Sequence, residues 1–228
     1  MKKPIYHRIF GYNTNLLPNS HLATLESGVK TIDEARKRTG ATIGYPGWTL
    51  IYNLLLSHLD REREEVIIET GTNMGCTTIV LAQALIDAGC KGKVITVELD
   101  TQNIEIAKKN CKKAGVSSFV DFRFGNTTKI MPDIANEINF TRFAFLDASH
   151  LYSDVMFEFE TIYPCLTDDA LVLFDNTYPL AETGEDKRVN GALKAIKKKY
   201  GGNLINLEYV SWFTPGLAIW QKQPNLGD

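Results

Sequence analysis

The chain lacks a long apolar run. Its strongest one ends at Phe174 and meets Asp175, far short of the roughly 20 apolar residues that a membrane-spanning helix needs. No membrane partner is expected. Behind Lys2 and Lys3 come Pro4, Tyr6, His7 and Arg8 rather than an apolar core, so a secretory signal is not expected either. Charge of one sign is missing too: 25 Lys and Arg stand against 27 Asp and Glu, a net of −2. With no basic field, a nucleic-acid partner is not expected. Cysteine is sparse, and Cys76, Cys90, Cys111 and Cys165 form no C-x-x-C pair. That speaks against a zinc or dithiol site and points to buried thiols in a reducing cytoplasm. Internal repeats and low-complexity tracts are absent as well.

What the chain does have is alternation. At 228 residues it fits one large domain with a small N-terminal addition. Short β-branched or aromatic runs begin near residues 66, 94, 119, 141 and 170, an interval close to the ~30 residues of a βαβ unit. Amphipathic stretches separate them. One carries Ile104, Ala107, Cys111 and Ala114 on a single face; another carries Val189, Ala192, Leu193 and Ile196. Strands this apolar imply a parallel sheet covered on both faces. Residues 203–210 and 216–222 read as two strands with no helix between them. The expected fold is therefore α/β, a Rossmann-like doubly wound sheet, mostly parallel, ending in a C-terminal antiparallel hairpin. Upstream, 46–59 reads as a helix and 27–39 as a weaker one. Residues 1–45 are expected to be a helical or lid segment, and 46–228 the main domain. Ser153 is placed to cap the helix after the fourth strand, and Pro132 limits where the preceding helix begins.

In such a sheet the ligand crevice lies beyond the carboxyl ends of the strands. All five parallel strands end there in polar residues: Glu69 to Gly75, Glu98 and Asp100, Gly125 to Thr128, Asp147 to His150, and Asp175-Asn176. Gly71 and Gly75 form G-x-x-x-G, a tight strand-to-helix turn that brings backbone N–H groups near a ligand. A dinucleotide fingerprint wants glycine where Asn73 stands, and no phosphate-cradling P-loop occurs. Glu98 can accept hydrogen bonds from ribose hydroxyls; the plain alternative is a solvated strand end. Asp147, Asp175 and Asn176 end adjacent strands and offer only oxygen donors, which suit Mg²⁺ and not zinc. Their plain alternative is loop and cap chemistry. His150, three residues after Asp147, has the ordinary pKa of a general base.

Together these residues resemble class I S-adenosylmethionine-dependent methyltransferases, over roughly 40–222. The resemblance is carried by VIIETGTNMGCTT (66–78), KVITVELD (93–100), FAFLDASHLYSDV (143–155) and ALVLFDN (170–176). It implies a seven-stranded sheet and S-adenosylmethionine as cofactor. Glu69, Gly71 and Thr77 would surround the methionine part, with Gly75 in the same loop. Glu98 would hold the ribose, and Asn126 and Thr127 the adenine. The stretch 42–47, with Ile43, resembles a cofactor-contacting segment. Within the class, Asp147, Asp175 and Asn176 match the metal ligands of catechol-type O-methyltransferases, and Asp147 also borders the cofactor. His150 stands where those enzymes have a lysine base; the run from Asp147 to Val155 looks more like bacterial macrocin-methylating enzymes. A homodimer is common among such proteins.

The expected reaction is methyl transfer to a hydroxyl of a small molecule, with Mg²⁺-assisted deprotonation and His150 taking the proton or helping to orient. The alternatives are a metal-independent transfer with His150 as base, a nicotinamide-dependent oxidoreductase, and a binding module without turnover. Tyr178, Pro179 and the charged stretch 182–188 are expected to form one wall of the acceptor pocket, Trp212 and Phe213 another; Glu208 resembles an acceptor-contacting glutamate.

Overall fold

The computed structural model describes residues 9–177, 188–207 and 216–223. Seven strands form one sheet in the order β3-β2-β1-β4-β5-β7-β6. They are β1 (Glu64–Thr70), β2 (Lys91–Glu98), β3 (Val120–Phe124), β4 (Thr141–Leu146), β5 (Leu166–Asp175), β6 (Asn203–Leu207) and β7 (Leu217–Gln221). The first five run parallel, and β7 pairs antiparallel with both β5 and β6. The parallel sheet with its terminal antiparallel strands is as expected, though β6 is described only as far as Leu207. The order reverses between β1 and β4, and the loops leaving those strands there diverge to open a crevice.

Alternation along each strand builds two cores. Ile67, Phe143, Phe145, Leu171 and Leu173 face one side, packed by α3 (Gly47–His58) and α4 (Cys76–Ala88). Ile68, Ala144, Leu146, Val172 and Phe174 face the other, packed by α6 (Thr127–Glu137), α7 (Tyr152–Ile162) and α8 (Arg188–Tyr200). Phe159 pins α7 there, with its ring centroid 5.0 Å from that of Trp220 in an edge-on contact. A fully buried aromatic ring of this kind is worth about 1.5–3 kcal/mol over exposure. The remaining helices are α1 (Ser20–Glu26), α2 (Ile32–Thr39) and α5 (Thr101–Lys113).

Local chemistry sets the helix ends. α2 starts at Ile32, later than 27, because Thr31 and Glu34 form a capping box that satisfies orphan N–H groups at that point. α1, absent from the sequence reading, is capped by Asn19. Pro132 lies inside α6, which starts at Thr127 under an Asn126 cap. Ser153 is not a cap: α7 starts at Tyr152 with no side-chain cap. No helix among the described residues is long and apolar enough to cross a membrane.

Candidate active site

A cavity of about 530 Å³ opens at the carboxyl ends of β1, β2, β3, β4 and β5. Its first wall is the loop after β1. Gly71 has φ +82°, and a Cβ there would lie 2.2 Å from the Asp147 carbonyl oxygen. Only glycine permits both the left-handed backbone and that approach. Asn73 is also left-handed, at φ 49°. Its side chain donates to the Ala41 carbonyl at 2.7 Å, tying the loop to the chain before α3. Glu98 fixes the loop from β2. One carboxylate oxygen accepts from Asn73 N–H at 2.6 Å and the other from Asp100 N–H at 2.8 Å. A carboxylate oxygen has two acceptor sites, so Glu98 keeps capacity for ribose hydroxyls.

The opposite wall is made of side chains. Asp147 leaves β4 with its N–H bonded to both the carbonyl and the hydroxyl of Thr70, each at 3.1 Å. Asp175 ends β5, and Asn176 follows in a left-handed conformation at φ 60°. The Asp147 and Asp175 carboxyls share a hydrogen bond, so the two strand ends do converge. Burial holds Asp147 well above the usual carboxylate range; the Asp175 bond acts against this, and the charges of Glu69 and Glu158 add to it. His150 lies between these residues. Its Nδ1 is 2.5 Å from Asn176 Nδ2, and its Nε2 is 3.2 Å from Asp147 Oδ1. Burial lowers its pKa from the ordinary value, against the raising charges of Asp175 and Glu158.

Of the residues singled out in the sequence, Gly71, Glu98, Asn126, Thr127, Asp147, His150 and Asp175 line the cavity. Ile43, Glu69, Gly75, Thr77 and Asn176 stand behind that lining. Ile43 is wholly buried in the core. Gly75, at φ +81°, lets α4 approach Ala107. Thr77 bonds Thr42 and the Trp48 indole, anchoring the stretch before α3. Glu69 takes hydrogen bonds from Thr78 at 2.5 Å and Thr96 at 2.6 Å, both on Oε2. Tyr178, Pro179, residues 182–187, Glu208, Trp212 and Phe213 lie outside the described residues.

One buried group escaped the sequence reading. Glu158 of α7 is fully buried under the floor, on the face of the sheet opposite Glu69. Thr70 donates to its Oε2 at 2.9 Å, and Thr127 also bonds it. Burial pushes both Glu69 and Glu158 up to about 7. The signal was there: Glu158 lies on the same helical stripe as Val155, Phe159 and Ile162, where a charge is out of place.

A family profile described as a methyltransferase domain matches residues 68–177. That stretch runs from β1 through Asn176 and holds both walls of the cavity. Over that stretch the chain is similar to methyltransferase domains. The catechol O-methyltransferase of Niastella koreensis is 38% identical over 71 residues, 31% of this chain and 31% of that protein. The chain thus matches just under a third of that curated relative. Two solved structures share the methyltransferase fold over nearly the whole chain. An O-methyltransferase from Bacillus cereus in complex with SAH has a TM-score of 0.72 at 22% identity, covering 90% of this chain and 91% of that one. The O-methyltransferase TomG from Streptomyces achromogenes, in complex with SAM, has 0.66 at 19%, covering 92% and 98%.

Proposed function

We propose that this protein transfers the methyl group of S-adenosylmethionine to a hydroxyl of a small molecule, and that a divalent cation such as Mg²⁺ sits at the β4–β5 end of the cavity. The carbon–sulfur bond breaks and a carbon–oxygen bond forms. The hydroxyl loses its proton, and the products are a methyl ether and S-adenosylhomocysteine. The observation that carries the reading is the pairing of the two walls. The glycine-bent β1 loop, braced by Glu98, faces the carboxyls of Asp147 and Asp175, with Asn176 behind them.

These residues fit a hard cation. Two carboxyls already share a hydrogen bond, and the third donor, Asn176 Oδ1, is buried with no hydrogen-bond partner. A buried polar atom left without a partner costs about 1–3 kcal/mol, which a cation would recover. When bound, the cation lowers the pKa of the acceptor hydroxyl. The chain's own work is positioning, which supplies a large part of many rates. Gly71 and Asn73 shape the methionine side, Glu98 binds the ribose, and Asn126 and Thr127 border the adenine. His150 either takes the acceptor's proton or orients the groups around it.

A metal-independent route with His150 as base is the second reading. It is favoured by the place of His150 on the cavity wall, where burial lowers its pKa from the ordinary value. One experiment separates the two: calorimetric titration of Mg²⁺ into protein saturated with S-adenosylhomocysteine, with Asp147→Asn/Asp175→Asn as control. Heat in the wild type that the control abolishes supports the cation. Silence in both, with the cofactor product bound, supports the metal-independent route.

A further inference from the structure

We infer that His150 is a positioning residue, holding the Asn176 amide and the Asp147 carboxylate in the orientation the cation needs, and is not free to act as the proton acceptor. This rests on the cation reading above. The argument is one of donors and acceptors. An amide nitrogen only donates. With Asn176 Nδ2 at 2.5 Å, His150 Nδ1 must present its lone pair. A neutral imidazole carries one N–H, so the proton is on Nε2, where it donates to Asp147 Oδ1 at 3.2 Å. Both nitrogens are then used, and no lone pair remains for a substrate proton.

The consequence falls on Asn176. Turning Nδ2 toward the ring leaves Oδ1 pointing away from it. That oxygen is buried and has no hydrogen-bond partner. The left-handed backbone of Asn176, which asparagine tolerates better than most residues, places the side chain between β5 and the His150 loop. The reverse amide orientation would put Oδ1 on the ring and turn the amide N–H groups, which cannot ligate a cation, toward the cation's place. The ring therefore orients two ligands at once, through one donated and one accepted bond. Outer groups of this kind typically change metal affinity 10–100-fold when removed.

The test is Mg²⁺ titration of wild type and His150→Phe, both saturated with S-adenosylhomocysteine, alongside the affinity of each protein for S-adenosylhomocysteine. The expected result is Mg²⁺ binding weakened about tenfold or more in the variant, with the nucleoside affinity within about twofold. Unchanged Mg²⁺ affinity overturns the inference alone. A wild type that binds no Mg²⁺ overturns the cation reading and this inference with it. Should His150→Phe fail to fold, the imidazole nitrogen shifts of the wild type decide: the Nε2–H tautomer is expected, and Nδ1–H overturns the assignment.

Discussion

The two ends of the cavity are built on different principles. At the β1–β2 end the protein satisfies itself. Gly71 N–H and Thr72 N–H bond Val97 O, and both Glu98 oxygens already accept backbone N–H groups. The loop's shape is stored in three left-handed residues, Gly71, Asn73 and Gly75. At the β4–β5 end, side chains crowd together and stay unsatisfied: two carboxyls share a hydrogen bond, and the Asn176 amide oxygen has no partner. The first end is limited by backbone geometry, the second by charge and donor chemistry. Substitutions should fail accordingly, through sterics at one end and through binding or titration at the other.

Gly71→Ala should give the largest effect. The left-handed backbone alone costs an ordinary residue about 1–2 kcal/mol, and the methyl would meet the Asp147 carbonyl at 2.2 Å. Backbone must move on both sides, so the change damages both ends together. S-adenosylhomocysteine should bind about 100-fold or more weakly, equivalent to about 2.7 kcal/mol. Calorimetry with a thermal melt checks this. Near-normal binding would show that the close approach of β1 to β4 is not what shapes the β1–β2 end.

Beneath the two ends the molecule is more alike than above them. Glu69 on one face of β1 and Glu158 on the other are both buried, and both are pushed up to about 7. Each has one oxygen bonded to threonine hydroxyls and the other without a hydrogen-bond partner. The raised pKa fixes the sign of the pH effect. The folded state holds these protons more tightly than the unfolded state, so their contribution is complete below about 4.5 and is lost as pH rises through about 7. For Glu158 the full swing is about 3 kcal/mol. Glu158→Gln keeps the shape without the charge. Its melting temperature relative to wild type should rise by roughly 5 °C between pH 5 and pH 8. A difference that does not change with pH would mean that Glu158 titrates like an exposed glutamate.

The sequence showed the sheet because its signals are local and redundant: β-branched runs, amphipathic stripes and glycine stops recur at a steady interval. It showed the cavity lining where a residue's position in the chain decides its place, as for Gly71, Glu98, Asp147 and Asp175 at strand ends. Thr77 and Ile43 stand outside that lining. Both lie in segments whose direction is set by packing, Thr77 against Thr42 and Trp48, Ile43 inside the core. α1 went unread because a seven-residue helix carries too few turns for periodicity to stand out. Glu158 was readable as a charge on an apolar stripe, but its partners Thr70 and Thr127 come from β1 and α6, and only the folded chain brings them together.

Glu98→Gln gives the smallest change and the finest discrimination between the ends. Glu98 joins the β1 loop to the end of β2 through Asn73 N–H and Asp100 N–H. Glutamine retains one acceptor oxygen, so one of these bonds survives while the other meets an amide donor. A hydrogen bond to a charged group is worth about 1.5–3 kcal/mol, and part of that loss is recovered by water because Glu98 lines an open cavity. The expected result is S-adenosylhomocysteine binding weakened about tenfold, or about 1.4 kcal/mol. Mg²⁺ affinity measured at saturating nucleoside should not move, because Glu98 touches none of Asp147, Asp175 or Asn176. If the Mg²⁺ affinity falls in step with the nucleoside affinity, the two ends are coupled through the β1 loop. The division between a self-satisfied β1–β2 end and an unsatisfied β4–β5 end would then give way to a single cooperative site.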